Sequence, residues 1–131
     1  MRFAVRMTLF TMLLLGLAGC YHMVAMPTVA TAVVYGPALP IRSLTPPQVA
    51  RLSRWLKAHD AGWRRPAAAP SSRMTLSMVL REPTGRQSRL DLFESKDGTA
   101  MVYFYAPAPA LAFERYLSAA DVLALLACIA S

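Results

Sequence analysis

Between Leu44 and Asp60 the apolar side chains recur at helical spacing. Val49, Leu52, Leu56 and His59 share one arc with Trp55 at its edge, and Arg51, Arg54 and Lys57 fall on the other side. The start of this helix is marked by its own chemistry. Thr45 can cap it, Pro46 takes the first position where a missing N–H costs nothing, Gln48 completes a capping box, and Leu44 with Val49 forms a hydrophobic staple. The pattern predicts a helix from Pro46 to about Ala58 or Asp60, ending near Gly62.

The period then changes from helical to alternating. "RMTLSMVL" puts Met74, Leu76, Met78 and Leu80 on one face and Thr75 and Ser77 on the other. "SRLDLFE" sets Leu90 and Leu92 against Arg89, Asp91 and Phe93, and "TAMVYFYA" sets Val102 and Phe104 against Met101, Tyr103 and Tyr105. Between the second and third of these runs, "SKDG" carries an Asp-Gly pair, which supplies the positive φ of a tight hairpin. "LAFERYL" reads as a fourth strand, with Leu111, Phe113 and Leu117 against Glu114 and Tyr116. Ser118 then opens a second helix with Asp121 three residues on and Leu117 and Val122 as the staple. After Asp121 every side chain to Ala130 is apolar, so this helix is expected to be buried on all sides. The fold class expected is α+β: a helix, an antiparallel meander of three or four strands and a C-terminal helix, with both helices packed on one face of the sheet.

The first residues follow a different logic. Arg2 and Arg6 are followed by an apolar run, Met7 to Leu17, interrupted only by Thr8, Thr11 and Gly16. That run is shorter than the roughly 20 residues of a spanning helix, so it reads as a secretory leader. It ends in Leu17-Ala18-Gly19-Cys20. In these four positions the chain resembles the bacterial lipoprotein precursors, whose lipobox runs Leu, a small residue, Gly or Ala, then Cys. The resemblance covers residues 1–20 and implies cleavage before Cys20, a diacylglyceryl group on its thiol and acylation of the new amino terminus. Several acyl chains anchor a protein stably where one does not. Tyr21 stands where an Asp would imply retention at the inner membrane, so the resemblance implies a lipid-anchored protein on the periplasmic face of the outer membrane.

The domain organisation expected is a cleaved signal peptide over 1–19, a lipidated N-terminus and tether over 20–43, and an α+β domain over 44–131. The tether holds Pro27, Pro37 and Pro40, and His22 and Arg42 are its only basic side chains. Fully extended it would reach about 80 Å at most. Its "TVATAVVY", residues 28–35, is β-branched and equally compatible with a further strand.

The formal charge of +7 falls to +5 once Arg2 and Arg6 are removed. Outside the cytoplasm such a charge argues against nucleic acid and suits anionic headgroups or an acidic protein, or simply solubility. With Cys20 lipidated, Cys128 has no internal partner, so it is either a small buried hydrophobe or a thiol for pairing between chains.

Catalytic chemistry has no local signature. The glycines at 36, 62, 85 and 98 are isolated, no G-x-S-x-G stretch occurs, and His22 and His59 belong to no metal-ligand spacing. Asp91 and Glu94 fall on opposite faces of their strand. No enzyme activity, metal or cofactor is therefore expected. A hydrolase would require folding to bring His59 beside Asp91 or another carboxylate in a cleft. The candidate partner surface is the basic stripe Arg51, Arg54 and Lys57 with the aromatic strand face of Tyr103 and Tyr105; the alternatives are a solvated helix face and a sheet core with tyrosine hydroxyls at its rim. The function expected is that of a non-catalytic anchored protein that binds another envelope protein, as an assembly accessory or an inhibitor or immunity factor. The second expectation is a lipid or small-ligand carrier or sensor, with a cavity lined by Met74, Met78 and Leu125.

Overall fold

The computed structural model describes residues 21–70, 72–107 and 111–130. The leader and Cys20 lie outside the described residues. In chain order the elements are β1 (Thr31–Gly36), β2 (Leu39–Ser43), α1 (Pro46–Ala58), β3 (Leu76–Arg81), β4 (Gln87–Glu94), β5 (Ala100–Tyr105), β6 (Ala112–Leu117) and α2 (Ala119–Ile129). All the strands pair antiparallel in one open six-stranded sheet of order β2-β1-β3-β4-β5-β6.

The meander β3 to β6 follows the alternation of the sequence. The sheet is nonetheless wider than the three or four strands expected, because residues 31–43 are not a tether. Thr31 to Tyr35 run antiparallel to Ser77–Arg81, and Ala32 and Val34 are buried against the core. β-branched residues on one half-buried face account for the strand. β2 then returns along β1 as an edge, where Pro40 deprives no ladder of a donor. At the last residue of β1 the backbone passes so close to the residue before β3 that a Cβ on Gly36 would stand 2.7 Å from the Thr75 carbonyl oxygen.

The residues before β1 are fixed as well. His22 and Trp63 exchange both backbone hydrogen bonds, the Val24 N–H donates to the Asp60 carbonyl (2.8 Å), and the Ala30 N–H donates to the Arg81 carbonyl (2.8 Å). Val24 and Val29 are buried. Among the described residues the folded unit therefore already includes His22 and does not start near Leu44.

One side of the sheet holds the core. Val34, Met78, Leu90 and Phe104 stand opposite one another across β1, β3, β4 and β5, all buried. Leu52 and Leu56 of α1 and Leu125 of α2 complete the same cluster with no exposed surface, each fully buried side chain contributing about 1.5–3 kcal/mol. The capping chemistry read in the sequence is present, and one residue of it does more. The Gln48 side-chain carbonyl accepts from the Thr45 N–H (2.8 Å), while its amide donates to the carbonyls of Ala130 (2.8 Å) and Ile129 (3.3 Å). A buried Gln thus ties the start of α1 to the C-terminal carbonyls of α2, and the Arg42 guanidinium of β2 donates to the Ile129 carbonyl as well. At the other end, the Ser118 hydroxyl accepts from the Asp121 N–H (3.2 Å).

α2 departs from the expectation of burial on all sides. Val122, Leu125, Cys128 and Ile129 are buried, but Leu123 is 67% exposed and Ala124 and Ala127 face solvent. α1 and the sheet cover only one side of it. Cys128 donates within the helix to the Ala124 carbonyl (3.2 Å), and burial pushes its thiol above the ordinary range. It behaves as the small buried hydrophobe, not as an exposed pairing thiol.

Candidate functional site

The opposite face of the sheet carries a row of polar side chains in register. Tyr35, Ser77, Asp91, Tyr103 and Glu114 stand opposite one another on β1, β3, β4, β5 and β6. All but Tyr35 are buried, and the connector that follows Trp63 reaches the last two of them. Arg64 pairs with Glu114 through both backbone and side chain, its Nε donating to Oε1 at 2.9 Å. Farther along, the Tyr103 hydroxyl donates to the Ala68 carbonyl (3.3 Å).

The buried carboxylates are occupied. Asp91 accepts from the Ser77 hydroxyl on one oxygen (2.6 Å) and meets Arg89 Nε on the other (3.3 Å). Glu114 is held by Arg64. Between them, burial first and the Glu114 carboxylate second push the Tyr103 phenol up to about 12. The strand that carries Tyr103 also separates the two carboxylates, so they do not share a substrate position as an acid–base pair. Charge-assisted hydrogen bonds at this density fasten a connector; they leave few free acceptors for chemistry.

Beyond the connector the same face is open. Val33, Tyr35, Val79 and Tyr105 are half-buried, and Ile41 on edge strand β2 is 79% exposed. The Arg89 guanidinium lies over the Tyr105 ring, 4.4 Å from its centroid. Tyr35, Val79, Arg89 and Tyr105 line a shallow depression of about 310 Å³. The outer side of β2 has no neighbouring strand among the described residues, so its backbone groups are available for pairing.

The residues singled out in the sequence are therefore divided. Tyr105 is on the open surface, whereas Tyr103 lies under the connector and is 5% exposed, which removes it from any docking face. Arg51, Arg54 and Lys57 are exposed on α1, which packs into the core on the other side of the sheet. The fold does not bring them together with Tyr105. His59 does not meet Asp91, which belongs to the outer face. It stacks on Trp55 (4.0 Å between centroids), its Nδ1 faces the Trp55 carbonyl at 2.7 Å, and its Nε2 faces Asp121 at 3.3 Å. That pair joins the end of α1 to the first turn of α2.

Met78 and Leu125 are packed without exposure and Met74 is half-buried, so the cavity expected between Met78 and Leu125 is filled. The larger cavity, about 630 Å³, lies elsewhere. It is bounded by residues 22–27 and by Phe104, Leu111 and Phe113, with Arg65, Glu82 and Arg86 among its lining. Tyr35, Ile41, Val79 and Arg89 were not distinguished by sequence as surface candidates. Of these, Tyr35 alone lies in the β-branched run at 28–35. Among the described residues no cluster of three or more His, Cys, Asp or Glu stands together as a metal site, and no helix is long and apolar enough to cross a membrane. No known protein family, curated protein or solved structure matches this chain.

Proposed function

We propose that the chain is a non-catalytic lipoprotein, anchored through Cys20 to the periplasmic face of the outer membrane, that binds another envelope protein through the open part of its outer sheet face. The observation that carries this reading is Arg89 stacked on Tyr105 on an open sheet face that continues across β3 and β1 to the exposed Ile41 on the unpaired edge strand β2. Tyr and Arg are the residue types that dominate protein interfaces, and an open edge offers backbone hydrogen bonds to an extended partner segment. With both helices on the core side, nothing in the described fold covers this patch. The role is that of an assembly accessory or an inhibitor or immunity factor.

The test is capture of the lipidated protein from membranes after cross-linking. A stoichiometric envelope partner is expected, and Tyr105→Ala combined with Ile41→Asp removes it while the circular dichroism spectrum stays unchanged. Failure to find a partner, or retention of it by the double variant, overturns the reading. For the anchor, Cys20→Ser leaves a precursor that is neither cut nor labelled by fatty acid.

The cavity supports a second reading, a carrier or sensor of small amphiphiles. Its walls are rich in Met23, Met26, Phe104 and Phe113, with Arg65 and Arg86 for an anionic group. Native mass spectrometry of the protein extracted in mild detergent distinguishes the two, since a carrier retains a bound lipid and a pure adaptor does not.

A further inference from the structure

Resting on the anchor reading above, we infer that the side of the fold around Tyr21, beside β6, is a membrane-contact surface that seats the domain directly on the bilayer. Tyr21 is the one residue between Cys20 and His22, and His22 is already locked to Trp63. A lipidated Cys20 therefore holds the folded unit within a few ångströms of the headgroups, because one residue spans about 3.5 Å.

The surface at that place has the composition of an interface. Tyr21 is 57% exposed, Met23 75%, Leu111 56% and Tyr116 60%. Tyr21 and Tyr116 border one depression with Arg64, and Met23 and Leu111 border the neighbouring cavity with Arg65. Among the described residues the other large exposed apolar side chains are Leu39 and Ile41, on the far edge of the sheet, and Leu123 on α2. Tyrosine rings settle at the headgroup level, apolar tips insert shallowly, and arginines near the surface gain from anionic lipid. The surface it meets is thus an anionic bilayer. The β2 edge, at the opposite side of the sheet, is then turned away from it.

The experiment uses vesicles of phosphatidylethanolamine and phosphatidylglycerol containing brominated acyl chains, which quench tryptophan on contact. Tyr116→Trp and Ile41→Trp are compared with the parent chain, whose own Trp55 and Trp63 are buried. Each is placed on vesicles in two forms: the naturally processed protein, and the mature chain coupled through the Cys20 thiol to a maleimide lipid. Several-fold stronger quenching of the added tryptophan at 116 than at 41 is expected in the coupled form. Equal quenching at the two positions, or none at 116, overturns the contact surface. Mass spectrometry of the natural form reports separately whether Cys20 is acylated, so a failed anchor and a failed surface give different results.

Discussion

His59, at the C-terminal end of α1, and Asp121, in the first turn of α2, meet at 3.3 Å across 62 residues of chain. The hydrogen bond from His59 is the first cause that holds the Asp121 carboxyl below its ordinary range. A carboxylate depressed in the folded state stabilises it above the unfolded value, about 3.9, and this contribution is lost as pH falls through the folded value. The wild type is expected to exceed Asp121→Asn in urea midpoint near pH 5, with the gap closing as the solution is made more acid than about pH 4. The carboxylate is 38% exposed, so screening limits the gap to about 1 kcal/mol or less.

Tyr103 is expected to behave in the opposite sense. Its phenol is raised from 10.0 to about 12, so its contribution to stability is complete below the ordinary value and fades as pH rises toward 12. Ultraviolet titration should show a late-ionising phenol that Tyr103→Phe abolishes. The same substitution removes the hydroxyl's hydrogen bond to the Ala68 carbonyl, at a cost of roughly 1–2 kcal/mol.

A chain that begins at Leu44 is expected not to fold cooperatively. It lacks Val24, Val29, Ala32 and Val34 from the core and leaves β3 without its β1 neighbour. Three buried valines at about 1.5–3 kcal/mol each approach the whole stability of a small domain, about 5–15 kcal/mol. Thermal unfolding followed by circular dichroism checks this. A sharp transition for the truncated chain would show that residues 21–43 are dispensable.

The meander was legible because Leu76, Met78, Leu90, Leu92, Val102 and Phe104 alternate with polar or aromatic partners over one covered face. Both helix starts were legible because capping is local chemistry. β2 was not, since "LPIRS" carries a proline and an arginine and shows no clean alternation, as an edge strand can. The split between Tyr103 and Tyr105 was also hidden. Both project from the same face of β5, and what separates them is a connector, "RPAAAP", whose sequence has no period that would place it above one and not the other. His59 and Asp121 carry no joint signal at all, because their meeting depends on how α1 and α2 pack.

The Gln48 amide finds its acceptors 81 and 82 residues later, at Ile129 and Ala130. β1, near the beginning, must likewise wait for β3 before Ala32 and Val34 are covered. The first half of the chain can form its own hairpin and helix, but their apolar faces stay uncovered until the later strands and α2 are present. Contacts this distant in sequence slow folding, since the intervening loop must be ordered before they form. A chain exported amino end first would therefore stay open, and exposed to proteases and chaperones, until almost its last residue had arrived.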